Sequence, residues 1–186
     1  MPPLLRRAFR ILNKYWMVPL FRLGLGPWIV NPFTGYIMVM VTIGRRTGQR
    51  RYAPVNYAIL NGAVYCISGG RRQSDWYHNL LATPEIDVLM PGGAVRGRFE
   101  EVTDADERLC ATRRVLKNAG FAGFFEGYNP FTISDDDLRG KSADLPVLKL
   151  RATGLANGAV DPGGWGWLVI WALFGTLWWV FRSKKR

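Results

Sequence analysis

The stretch RYAPVNYAILNGAVYCIS, Arg51 to Ser68, consists of two β-prone runs on either side of Asn61-Gly62. Asn-Gly between apolar runs suits a two-residue turn with both central residues at positive φ, so the stretch reads as an antiparallel hairpin. Pro54 cannot donate to a strand ladder, which puts it at an edge or a bulge.

Reading outward, YIMVMVT (Tyr36 to Thr42) is β-rich and nearly all apolar, a buried strand, and GRRTGQ (Gly44 to Gln49) breaks it. After the hairpin, Gly69-Gly70-Arg71-Arg72 forms a loop. Asp75 can cap a short helix from Trp76 that stops before Pro84. Ile86 to Met90 is a strand, Pro91-Gly92-Gly93 a turn and Ala94 to Val102 a strand. Thr103 to Asp106 opens a helix with acids first and Arg113, Arg114 and Lys117 toward its end, as the helix dipole favours. Gly120 ends it, Phe121 to Phe131 matches no regular element, and PVLKLRA (Pro146 to Ala152) alternates as a last strand. About six short strands, joined mostly by hairpins and without long crossovers, make the chain mainly β with α, an α+β antiparallel barrel.

The two ends differ from this body. LLRRAFRILNKYWMVPLFRLGL (residues 4–25) reads as a basic amphipathic helix broken near Pro19, with Leu5, Phe9, Leu12 and Trp16 on one face. Arginines interrupt its apolar run, so it does not read as a signal peptide. WGWLVIWALFGTLWWVF (Trp165 to Phe181) has no charge and is expected to insert into a membrane. Its span of roughly 26 Å, against a hydrocarbon core of roughly 30 Å, leaves open whether it crosses or lies in the interface. The expected organisation is a basic helix over 1–30, a barrel over 31–155, a linker over 156–164 and a membrane anchor with a basic tail over 165–186.

Of the net charge of +11, residues 1–30 carry five and the last five residues four, which leaves +2 for everything between. Basic residues beside apolar helices suit anionic lipid. Nucleic-acid binding would want them on the folded body, and is excluded on that ground. A cytoplasm-side, membrane-associated domain is the expected location. Cys66 and Cys110 lack CxxC spacing and read as reduced thiols. His78 is the single histidine, which leaves no multi-histidine metal site and no persuasive Ser/His/Asp constellation.

Two segments carry chemistry. In Gly44-Arg45-Arg46-Thr47-Gly48-Gln49, glycines free the backbone N–H groups to converge while guanidiniums and a hydroxyl add donors, a plausible phosphate nest. In Trp76-Tyr77-His78-Asn79-Leu80, the first turn of a helix attracts anions and the aromatics can stack on a planar ring.

Together they resemble the deazaflavin-dependent nitroreductase family. The order is GRRTGQ, Pro54, the hairpin, Ser68-Gly69-Gly70, WYHNL and Pro84, with Tyr128 and PVLKL fitting the family's closing pattern, over residues 30–152. The resemblance implies a split β-barrel like that of FMN-binding oxidases, and coenzyme F420, a deazaflavin with a phosphodiester and a polyglutamate tail. Arg45, Arg46, Thr47 and Gly48 would hold the phosphate and Pro54 would sit near the ring. Ser68, Gly69 and Gly70 would line the ring, with Trp76, Tyr77 and Asn79 closing the site. The reaction would be hydride transfer to a small lipophilic acceptor, a quinone foremost, or an enone or nitro compound, with Tyr128 as the acceptor-side hydroxyl. Split barrels often form homodimers. Gly69 departs from the pattern, since members that reduce nitro drugs often carry lysine there, and the loop before Trp76 is shorter. The rival readings are FMN or haem on the same barrel, and a non-catalytic barrel that binds lipid at the membrane surface.

Overall fold

The computed structural model describes residues 8–9, 11–156 and 166–183. Most of the expected linker and the last basic residues, 184–186, lie outside that set, as do Leu5, Arg6, Arg7 and Arg10.

A π-turn, Asn13–Met17, leads directly into α1, Val18–Arg22, and a short α2 follows at Gly26–Ile29. The expected break at Pro19 is therefore corrected. Pro19 lies in the first turn of α1, where its missing N–H is no loss. The Val18 N–H reaches back to the Asn13 carbonyl, the wide spacing of a π-turn, so the chain widens before the proline and stays helical.

The strands are β1, Ile37–Ile43; β2, Arg50–Leu60; β3, Ala63–Ile67; β4, Glu85–Met90; β5, Gly93–Glu101; and β6, Val147–Leu155. They close an antiparallel barrel in the order β1-β2-β3-β6-β5-β4, with β4 back on β1 through Val39 to Val41. This is the antiparallel barrel expected from the hairpin pattern, and the split barrel that the family resemblance implies. At the β2–β3 turn Asn61 and Gly62 have φ of 50° and 76°, the left-handed pair that Asn-Gly tolerates.

β1 is apolar except for Thr42 because both its faces are covered. Met38 and Met40 point into the barrel beside Val88, Phe99 and Leu148. Val39 and Val41 point outward under Val18, Phe21 and Leu89, so the N-terminal helix packs on the barrel wall. β2 changes partner midway. Residues 50–56 pair with β1, and only 57–60 pair with β3. Pro54 lies in the part with a single ladder partner, the edge its missing donor requires.

Between β3 and β4 runs α3, Asp75–Ala82, and between β5 and β6 run α4, Ala105–Asn118, and α5, Asp135–Ser142. α4 covers the barrel with Ala111 and Val115 against Ala58, Tyr65 and Val147. Asp104 caps it, accepting the Glu107 N–H at 2.8 Å. Asp75 does not cap α3: Ser74 holds that position and Asp75 lies in the first turn. The stretch without expected structure begins as a 3-10 turn, Gly120–Glu126. α5 was not expected, although Ser134 with Asp137 three residues on is a capping signature that is formed here, Ser134 Oγ accepting the Asp137 N–H at 3.2 Å.

The last helix, α6, Gly166–Ser183, forms where the apolar run predicts it. Trp171, Phe174, Leu177, Trp178 and Trp179 on it are all exposed. Among the described residues no helix is long and apolar enough to cross a membrane, so of the two alternatives left open for this segment the spanning one is not supported. Its 18 residues rise about 27 Å, short of the roughly 30 Å core, and indole groups with Gly175, Thr176, Arg182 and Ser183 dilute its aliphatic content.

Candidate functional site

The GRRTG loop joins β1 to β2 and is tied down at three points. Gly44 O accepts the N–H groups of Thr47 and Gly48 at 3.1 and 2.8 Å. Arg45 N–H donates to Asn79 Oδ1 at 3.1 Å, and Thr47 Oγ1 accepts from Gln49 N–H at 3.4 Å. With Gly44 N–H donating to the Gln49 carbonyl at 2.8 Å, five of the loop's six amides are used within the protein, so the expected convergence of free N–H groups on one anion is not what the loop offers. Its free donors are side chains.

The two arginines divide the work. Arg45 reaches α3: Nη1 and Nη2 each lie 3.2 Å from Asp75 Oδ1, and Nη1 also donates to the Asp75 carbonyl at 3.3 Å. Arg46 is exposed and has no side-chain partner among the described residues. Asn79 is buried; its Oδ1 accepts from the Arg45 backbone and side chain, and its Nδ2 lies 3.5 Å from Thr42 Oγ1. The loop is therefore clamped to the start of α3, where Trp76 follows Asp75.

Trp76 also borders a cavity of about 380 Å³, and Pro54, Gly69 and Gly70 border it with Trp76. Four of the expected cofactor residues are brought together there. A Cβ on Gly70 would meet Ser74 Oγ at 2.3 Å, so only glycine fits that wall without displacing the serine. The far wall comes from Phe9, Leu12, Asn13 and Met17 of the N-terminal helix, and from Phe121 to Gly123. Helical spacing marks Phe9 and Leu12 as one face, but nothing in the sequence marks Asn13, Thr34 or Asn56, the polar side chains of the lining.

Ser68, Tyr77, Asn79 and Tyr128 do not line this cavity. Ser68 is fully buried and holds the loop, Oγ donating to the Arg71 carbonyl at 2.7 Å with Ser74 Oγ at 3.1 Å. Tyr77 points into the barrel core and donates to Glu101 Oε2 at 2.6 Å, while Arg72 Nη1 donates to the Tyr77 oxygen at 2.7 Å. Burial, then the bond to Glu101, pushes the Tyr77 hydroxyl up. Burial works against the Glu101 charge, yet Tyr77 and Arg72 together hold its carboxyl below the usual carboxylate range. Tyr128 stands beside α5, with Lys141 Nζ 5.4 Å from its ring centre. His78 stacks edge-on with Tyr77 at 5.7 Å. Among the described residues no three His, Cys, Asp or Glu side chains are grouped as metal ligands would be.

The site thus combines an antiparallel barrel, an apolar cavity against β2 and β3, and a cationic loop clamped to the helix that carries Trp76. Residues 22–128 match the F420H(2)-dependent quinone reductase family, and the chain belongs to that family. It is an oxidoreductase that uses F420. Among solved structures, an F420-H2 dependent reductase is similar at 20% identity, with 62% of this chain and 93% of that one covered, at a TM-score of 0.41. A conserved hypothetical protein from Mycobacterium tuberculosis is similar at 16% identity, with 68% and 78% covered, at 0.49. A heme binding protein from Mycobacterium smegmatis is similar at 17% identity, with 71% and 51% covered, at 0.45. All three fall under a TM-score of 0.5, and the assignment rests on the family match. No curated protein matches the sequence.

Proposed function

We propose that the chain reduces a lipophilic quinone with F420H2, at the cytoplasmic face of a cell membrane. The carrying observation is the cavity, whose lining is mostly apolar and contains no charged side chain among the described residues. It suits an uncharged ring better than a polar metabolite.

The residues present fit the cofactor. Gly69, Gly70, Pro54 and Trp76 offer a flat apolar wall for a deazaflavin ring, and Arg46, with Thr47 beside it, offers donors for the phosphodiester. When bound, F420H2 supplies the hydride. The protein's part is to bind, orient and exclude water. Arg45, Asp75 and Asn79 set the height of the cationic loop against Trp76, and the N-terminal helix closes the cavity on its far side. Tyr128 lies outside the cavity lining and is given no part in this reading.

Membrane attachment is inferred from exposed side chains on helices at both ends. Ile11, Tyr15 and Trp16 are exposed on the N-terminal helix, with Lys14 Nζ 5.1 Å from the Tyr15 ring centre. On α6 the Arg182 guanidinium lies 4.9 Å from the Trp178 ring centre. Aromatic and basic side chains so placed suit an interfacial position.

The test is to mix the purified full chain with F420H2 and 2-methyl-1,4-naphthoquinone and follow cofactor oxidation, with a nitroimidazole and a cyclic enone in parallel. Faster oxidation with the quinone supports the reading. Oxidation by none of the three would sink it.

A further inference from the structure

We propose that Asn13 is the acceptor-positioning residue of the cavity, its side-chain amide donating a hydrogen bond to a carbonyl oxygen of an uncharged acceptor. The inference rests on the cavity being the acceptor site.

Besides Trp76 with its indole N–H, three polar side chains line the cavity: Asn13, Thr34 and Asn56. Thr34 is committed: Oγ1 donates to the Ile29 carbonyl at 2.6 Å and accepts the Asn31 N–H at 3.2 Å. Asn56 donates to the Tyr36 carbonyl at 3.4 Å. The Asn13 side chain, half-buried at the wall, makes no hydrogen bond among the described residues. Its amide atoms are not buried, so they are open to exchange water for a hydrogen bond to a ligand.

The backbone points the same way. Asn13 begins the π-turn, the kind of widened turn that recurs at functional sites, and asparagine is a poor helix former. The same helical segment turns Ile11, Tyr15 and Trp16 outward. One short element thus faces solvent or lipid on one side and meets the acceptor on the other.

A neutral amide selects among ligands. It attracts a carbonyl oxygen without demanding a charged group, and it strengthens that bond as negative charge develops on the oxygen during reduction. Its own oxygen can then accept from the hydroxyl that replaces the carbonyl in the product.

The test is a calorimetric titration of the full chain with 2-methyl-1,4-naphthoquinone and with 2-methylnaphthalene, the same ring system without carbonyls. Neither titration needs the cofactor. Asn13→Leu is expected to weaken the quinone by about threefold to tenfold, the worth of one neutral hydrogen bond, and to leave the hydrocarbon unchanged or tighter. Asn13→Ser, which keeps a donor, should recover part of the loss. Equal losses for both ligands, or no loss for the quinone, would make Asn13 a piece of wall and overturn the proposal. If the wild type binds no quinone, the acceptor reading of the cavity fails together with it.

Discussion

Asn79 commits both ends of its amide inside the protein, to Arg45 on one side and Thr42 on the other, whereas Arg46 next to that clamp commits nothing. Both were expected to contact the cofactor, Arg46 at the phosphate and Asn79 in closing the site. The geometry separates them, and mutation should as well. Arg46→Ala is expected to weaken F420 binding by about tenfold or more, a charge-assisted bond to phosphate being worth about 1.5–3 kcal/mol, and to leave the urea midpoint unchanged. Asn79→Leu leaves the Arg45 N–H without its acceptor and is expected to cost about 1–3 kcal/mol of stability, read as a lower urea midpoint, with binding lost in consequence. If Arg46→Ala lowers stability and spares binding, the division of roles is wrong. Cys66 belongs to this scale too: burial pushes its thiol up to about 12, so it has no role as a thiolate.

At the scale of elements, the N-terminal helix has the most unusual duties. Its inner side buries Val18 and Phe21 on β1 and β4, its middle closes the cavity, and its outer side exposes Tyr15 and Trp16. If that outer side meets anionic lipid, Lys14 contributes to the attraction. Each basic residue near such a surface is worth about 1 kcal/mol, so Lys14→Gln should reduce partitioning onto phosphatidylglycerol vesicles by roughly fivefold. Binding to phosphatidylcholine vesicles should hardly change. Sedimentation with the two vesicle types measures both. An unchanged ratio between them would remove this helix from the proposed membrane contact and leave α6 to account for any attachment.

The whole molecule is held shut by its sheet, with carboxylates tying elements to it at the rim. Glu101 on β5 accepts from Tyr77 and Arg72, and Glu107 on α4 accepts from Lys149 at 2.7 Å and from Tyr65. Hydrogen bonds from Lys149 and then Tyr65 hold Glu107 below the usual range, as Tyr77 and Arg72 do for Glu101 against its burial. Because the folded-state values lie below the unfolded value of 4.5, this stabilisation is present above that pH and is lost as pH falls through the lower folded values. Denaturation midpoints should therefore drop in the acid range, and less steeply for Glu101→Gln. Equal slopes for the two proteins would show that Glu101 does not contribute.

Most of the barrel was legible in the sequence because hairpin pairing is local: Asn61-Gly62 sets a register that needs only its neighbours, and a both-sided apolar run such as β1 can only be buried. The order of residues along the chain also carried the cofactor class, through GRRTGQ and WYHNL. What the chain order could not carry was which side of a residue faces what. Tyr77 and Trp76 are adjacent, yet one enters the core and the other borders the cavity, since successive helical positions turn by about 100°. The clamp between Arg45 and Asp75, and the N-terminal helix that closes the cavity opposite Pro54 and Trp76, depend on barrel closure. They are contacts between segments distant in sequence, and only the tertiary structure decides those.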